Sequence, residues 1–348
     1  MVIPRRPTSA DVAALAGVSR TTVSFVLNGR DVAISPATRE RVIDAARELD
    51  YHPHAPARQL AGGRSNTVGL VLRQSPEQVA GDAFLAETLR GMTTAARAGG
   101  FRVIVEALDP DGGPYADLLR SGRTDGVVVS GPRFDDPDLG DLVRAGFPIV
   151  LQGSLPGLDV TSVDVDNMAG AKQAVEHLIG LGHRRIGCIT NAPVAYTAAA
   201  QRLAGYRAAL AEAGIEDHRE WVAEAAFDAR SGHRAMAQLM DRADLQAVFV
   251  ASDVVAVGAL GAIRSAGRRV PDDISVVGFD DIPLAAFLDP PLTTVRLPAY
   301  ELGRACGDAL LERISNPAAR RRTLLPIELV IRGSTGPPRS SPLPRRAH

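Results

Sequence analysis

Residues 11–29 read DVAALAGVSRTTVSFVLNG, two short amphipathic runs separated by Gly17-Val18. Thr8, with Asp11 three residues on, has the form of a capping pair for the first run. Val12 and Leu15 supply its apolar positions, and Gly17 suits a left-handed stop. Ser19 then caps a second helix, RTTVSFVL, running to about Asn28. Downstream, Ser35-Pro36 opens a third helix with proline at its favoured first position. Val42, Ile43, Ala46 and Leu49 recur along it at helical spacing. Three short helices with a tight turn between the first two predict a helix-turn-helix headpiece. In such a unit the second helix enters the major groove with its first residues against base edges. Arg20 and Thr21 hold that place: an arginine fork fits guanine O6/N7, and threonine meets thymine or either base. Ser19, Thr22, Ser24 and Asn28 are small polar groups suited to phosphate oxygens. Phe25 either packs on a thymine methyl or faces the headpiece core.

Composition bounds what the remainder can be. The 348 residues allow two or three folding units, and 45% hydrophobic content supports a large core. Net charge is −1, but residues 1–64 carry nine arginines against six acidic residues, so a head of +3 sits on a body of −4. Cys188 and Cys306 lie far apart with no CxxC spacing, which argues for a reducing compartment and against structural zinc. No secretory leader or membrane-length apolar run is seen, so a cytoplasmic protein is expected.

From Tyr51 the chain turns rich in Pro, Ala and Gly, then alternates short apolar runs with amphipathic stretches. The runs are TVGLVL, FRVIVEAL, DGVVVSG, FPIVLQG, RRIGCIT, QAVFVAS and ISVVGFD. Such β-branched strands separated by helices predict parallel sheets covered on both faces. Roughly eleven strands exceed one tidy sheet, so two doubly wound α/β lobes are expected. Ligands of such lobes bind on loops beyond the carboxyl ends of strands. Enzymatic signatures are missing: Lys172 is followed by Gln173 where a P-loop needs Ser or Thr, and no serine sits in a GxSxG elbow.

The quoted headpiece, followed by SPATRERVIDAARELDYHP (35–53) and ARQLAGGRSNTVGLVL (57–72), resembles the lactose/galactose/purine repressor family. The similarity continues through VDVDNMAGAKQAVEHLIGLGHRRIGCIT (163–190), VPDDISVVGFDDIP (270–283) and PPLTTVRLP (290–298), covering roughly residues 8–332. That resemblance implies a cytoplasmic homodimer, with a tetramer left open. It would bind a pseudo-palindromic operator, chiefly as a repressor, and be modulated by a small effector such as a sugar. The implied body is the two-lobed periplasmic-binding-protein type I fold. The layout it implies is a headpiece over 1–53, a hinge helix and linker over 54–65, and an effector and dimerisation domain over 66–332; the Pro- and Ser-rich composition of 333–348 predicts a disordered tail. In the hinge, Leu60 matches the family's minor-groove wedge and Ala57 a neighbouring groove contact. Pro56 stands where valine is usual. Asp280 and Arg202 match effector-gripping residues, while Phe84 and Leu85 match pocket-lining positions. Phe227 is a candidate stacking wall, and Tyr196 a pocket position where relatives vary, as at Gly153. Asp253 either reaches the cleft or caps the next helix, and Asp166 and Asn167 share that ambiguity. No cofactor or metal is implied. A transport receptor with the same lobes is the second reading, opposed by the headpiece.

Overall fold

The computed structural model describes residues 7–27, 33–51, 64–108 and 116–339. Two compact units divide at Ser65/Asn66. In the first, α1 (Ser9–Ala16) starts on a reciprocal cap: the Thr8 N–H donates to Asp11 Oδ2 at 2.8 Å, and the Asp11 N–H to Thr8 Oγ1 at 3.4 Å. Gly17, at φ 63°, ends it in the left-handed conformation that an L side chain resists. α2 (Arg20–Leu27) follows at 101° to α1, within the range for a helix-turn-helix. Ser19 accepts the Thr22 N–H at 3.1 Å. α3 (Pro36–Glu48) is capped by Ser35 through the Thr38 N–H at 3.2 Å. The core between them is small, built from Val12, Ala13, Ala16, Val23, Val42 and Ala46 with their neighbours. Leu15 and Ile43, expected inside, are 48% and 40% exposed. Short helices that cross closely leave room for alanine rather than for leucine or isoleucine at the contact.

The second unit holds two six-stranded sheets. The first runs β11–β5–β4–β3–β1–β2, with β1 (Thr67–Leu72), β2 (Arg102–Ala107), β3 (Gly126–Ser130), β4 (Ile149–Gln152), β5 (Thr161–Val165) and β11 (Arg322–Leu325) all parallel. The second runs β12–β10–β9–β8–β6–β7. Its strands are β6 (Ile186–Thr190), β7 (Val222–Glu224), β8 (Ala247–Val250), β9 (Ser275–Asp280), β10 (Thr293–Arg296) and β12 (Glu328–Val330), the last antiparallel to β10. Strands β3, β4, β6, β8 and β9 are buried along nearly their whole length, as sheets covered on both faces require.

The chain crosses between lobes three times: from β5 into the helix Asn167–Gly180, from β10 into the helix Ala299–Ser315, and from β11 into β12. A single apolar cluster consequently spans both lobes, from Leu70, Val128 and Val150 to Tyr206, Phe249 and Phe279. The helix Ala299–Ser315 lies directly on Ala83–Ala98. A Cβ on Gly303 would stand 1.9 Å from the Thr88 carbonyl oxygen, and one on Gly91 2.0 Å from that of Tyr300.

The tail expected to be disordered from Gly333 is corrected for residues 333–339. Ser334 is fully buried, donates to the Val276 carbonyl at 2.6 Å and accepts the Thr293 N–H at 2.8 Å. Arg339 pairs with Asp273 at 2.5 Å. Small polar side chains that suggest disorder by composition here satisfy the backbone beside β9 and β10. Because no side chain fits between the crossing helices, Gly303→Ala should lower stability by about 1–3 kcal/mol through overpacking. Urea unfolding should show a reduced midpoint at unchanged slope; an unchanged midpoint would mean the helices can separate freely.

Candidate functional site

On α2 the side chains of Val23 and Val26 point into the headpiece core. At 100° per residue, Thr21, Ser24 and Phe25 fall on the opposite face, with Arg20 on its flank at the helix's first turn. Arg20 and Thr21 are exposed, while Ser24 and Phe25 are half-buried. Phe25 stands outside the buried core residues of this unit. Ser19 and Thr22 hydroxyls lie 2.9 Å apart, so both serve the helix cap as well as facing outward at the leading end. Asn28, Ala57 and Leu60 lie outside the described residues.

The second candidate site is a cavity between the two sheets, at the carboxyl ends of β1, β3, β4, β5 and β9. Counted together with its open mouth, it encloses about 810 Å³ of empty space. Arg202 lies at its centre, only 7% exposed. The helix Thr197–Glu212 carries it inward, with the guanidinium 3.9 Å above the Phe279 ring. Its Nε donates to Asn167 Oδ1 at 2.9 Å and its Nη1 to the Ala251 carbonyl at 2.6 Å. Asp280 Oδ1 is 3.5 Å from Nη1, so the two residues expected to grip a ligand also face each other. Asn167 is itself set by Asp164, which accepts from its Nδ2 at 3.0 Å. Asp166, by contrast, caps the helix through the Ala169 N–H.

Strained backbone surrounds this centre: Asp280 at φ 123°, Asp281 at 56°, Phe227 at 64° and Gly153 at 117°. Asp281 is held by Arg296 at 2.7 Å and Arg332 at 2.6 Å, which fixes the turn presenting Asp280. Gly153 cannot take a side chain, since its Cβ would meet Pro132 at 2.7 Å.

Phe84, Leu85, Arg202, Phe227 and Asp280 line the cavity, as the sequence suggested. Tyr196 and Asp253 do not. Asp253 is fully buried, and its two oxygens are taken by Thr294 Oγ1 at 2.6 Å and the Ile282 N–H at 3.0 Å, so it braces the 280–282 turn from behind. It is not a helix cap either; Ser252 holds the cap position. Tyr196 packs edge-on against Phe227 at 4.9 Å and donates its hydroxyl to the Arg73 carbonyl across the lobes. Beside it, the Phe134 N–H donates to the Ala195 carbonyl at 2.9 Å and the Thr197 N–H to that of Pro132 at 3.1 Å, joining the lobes at the rim.

Asp82, Asp164, Gln74, Gln152 and Asn191 are polar lining residues that escaped the sequence reading, as did Ser130 and Ser252. Asp82 has the signature of a cap and does accept the Phe84 and Leu85 N–H groups, which hides its second role. Gln74 Oε1, Gln152 Oε1 and Asn191 Oδ1 are buried with no hydrogen-bond partner. Orphaned buried acceptors of this kind mark a place where a donor belongs.

Burial pushes the carboxyls of Asp82 and Asp164 above the ordinary range. Asp253 rises well above it through burial and the nearby Asp280. Burial also drives Asp280 up, to about 7, although the Arg202 charge opposes the rise. Desolvation correspondingly lowers Arg202. With its pKa raised from an unfolded value near 4, Asp280 binds its proton more tightly in the native chain. Its contribution to stability is full below about pH 4 and is lost as pH rises through about 7. Asp280→Asn should therefore flatten the fall in unfolding midpoint between pH 4 and 7; an unchanged slope would place that titration elsewhere.

Residues 8–54 match the family described as bacterial regulatory proteins, lacI family, and residues 175–335 match a periplasmic binding protein-like domain. The chain is 40% identical to the HTH-type transcriptional regulator CelR of Thermobifida fusca, over 95% of its own length and 98% of the relative's. A solved structure of a transcriptional regulator CelR–cellobiose complex is similar at TM-score 0.71 and 38% identity, covering 94% of this chain and all of that one. The lac repressor dimer bound to operator and the anti-inducer ONPF is similar at TM-score 0.82 and 31% identity, covering 95% and 100%.

Proposed function

Because the chain belongs to the lacI family of bacterial regulatory proteins, we propose that it represses transcription as a homodimer on a pseudo-palindromic operator, with a sugar in the interlobe cavity controlling its grip. The observation that carries this reading is the pairing, in one chain, of a 101° helix pair with an exposed Arg20–Thr21 edge and a bilobed body around a polar cavity. Dimerisation would place two α2 helices in successive major grooves, with half-sites about 10 base pairs apart. Arg20 and Thr21 read bases, and Ser19, Thr22 and Ser24 hold phosphates. Phe25 lies on the same face and suits a thymine methyl. Asn28 remains a candidate phosphate contact by its residue type, and Ala57 and Leu60 remain candidate groove contacts on the family resemblance alone.

In the cavity, Arg202 and Asp280 present a fork and a carboxylate to ligand hydroxyls, between the apolar walls of Phe84, Leu85 and Phe227. Cellobiose, bound by the similar regulator, is the first ligand to try. Its output is a shift between lobe arrangements, which requires that the sugar bind one arrangement better than the other. Binding rather than turnover is the function, exercised in the cytoplasm where the operator lies.

Arg20→Ala should weaken a cognate operator by about 1–3 kcal/mol while changing random DNA far less. Thr22→Ala should weaken both alike. Equal losses from both substitutions on every sequence would remove base reading from Arg20. Arg202→Ala and Asp280→Ala should abolish sugar-dependent operator release while leaving operator affinity in place. Release at wild-type sugar concentrations in both variants would move the effector site elsewhere.

A further inference from the structure

The charges and open valences of the cavity are lopsided. Among the described residues lining it, Asp82, Asp164 and Asp280 are acidic and Arg202 alone is basic. That cation is largely spent within the protein: Nε on Asn167, Nη1 on the Ala251 carbonyl and beside Asp280, its face on Phe279. The buried polar atoms without partners point the same way. Gln74 Oε1, Gln152 Oε1 and Asn191 Oδ1 are acceptors, and each residue is more than nine-tenths buried. Gln152 has its amide orientation set by Nε2 donating to Thr88 Oγ1, so its oxygen is the free end.

Resting on the effector reading above, we infer that this cavity selects an uncharged, hydroxyl-rich ligand and rejects the phosphorylated form of the same ligand. Hydroxyl groups donate to carboxylates and amide oxygens and so fill the open valences. A phosphate offers only further acceptors and negative charge, against three acidic side chains in a partly enclosed site where screening is weaker than in bulk water. Discrimination of this kind works by repulsion of the wrong ligand as much as by attraction of the right one. The residues that set it are Asp82 and Asp164, neither of which forms an ion pair among the described contacts, while Arg202 is already engaged by Asn167, the Ala251 carbonyl and Asp280. A regulator so built responds to a sugar before phosphorylation, not to the product of a kinase or a phosphorylating uptake step.

The test is calorimetric titration of the full-length protein at pH 8 with cellobiose, its 6′-phosphate and its uncharged 6′-O-ethyl ether. At that pH Asp280, pushed up to about 7, is largely ionised. The phosphate should bind on the order of 100-fold more weakly than the ether, the scale of unscreened like-charge repulsion. Asp82→Asn keeps an oxygen for the helix cap, and both it and Asp164→Asn should narrow that ratio about tenfold. A phosphate that binds within threefold of the ether overturns charge selection and leaves the effector reading standing. Exclusion of the ether together with the phosphate makes size the filter and equally overturns it. A wild-type ratio that neither variant moves removes the two carboxylates from the role. If cellobiose and glucose both fail to bind the wild type, the sugar-effector reading falls, and this inference with it.

Discussion

Arg202 is a full charge taken out of water, and most of what surrounds the cavity follows from the need to accommodate it. A guanidinium at this depth is tolerable only where its N–H groups find acceptors and its charge a counter-charge. Its partners come from three separate places in the chain: Asn167 at the first crossover, the Ala251 carbonyl after β8, and the end of β9, where Asp280 supplies the counter-charge and the Phe279 ring covers its face. Satisfying one residue therefore fixes the relative positions of two strand ends and two helix starts. Asp164 behind Asn167 and Asp253 behind the 280–282 turn extend the same network outward.

The network also explains where strain is stored. Asp280 and Asp281 both hold left-handed backbone that non-glycine residues avoid, and each is clamped by side chains on neighbouring elements. Such clamping is what lets a short loop present a carboxylate at a defined point instead of sampling many. Arg332, on the segment beyond β12, contributes to it, so the packed 333–339 stretch continues a strand that helps shape the cavity.

Three crossovers couple the lobes. The apolar cluster that spans both lobes resists separation, while the rim bonds at Tyr196, Phe134 and Thr197 are few and partly backbone-based. A ligand that adds hydrogen bonds between the lobes can therefore bias their arrangement with modest binding energy. The close contact of Ala83–Ala98 with Ala299–Ser315 is possible only with glycine at 91 and 303.

Much of this was legible in the chain itself. Caps at Thr8, Ser19 and Ser35 with helical spacing define the headpiece helices, because those signals act over three or four residues. The seven quoted apolar runs became β1, β2, β3, β4, β6, β8 and β9; all but the partly exposed edge strand β2 are buried along nearly their whole length, which requires apolar residues throughout. The short or polar strands were not visible in that way: TSVDV of β5 is buried yet half polar, and RTLL of β11 joins the first sheet from the far end of the chain. Arg202, Asp280, Phe84, Leu85 and Phe227 could be placed at the cavity because family motifs surround them. Asp253 was misplaced because an aspartate after a strand looks the same whether it faces a ligand or a buried threonine. Asp82, Gln74, Gln152 and Asn191 carried no signal, because a cap or an isolated amide takes on its second role only when distant strands close around one volume. The sequence determined the elements and the kind of molecule they build. The direction in which each polar side chain points, and therefore the cavity's excess of acceptors, was decided by tertiary packing, since burial and partnership are properties of the assembled space and not of neighbours along the chain.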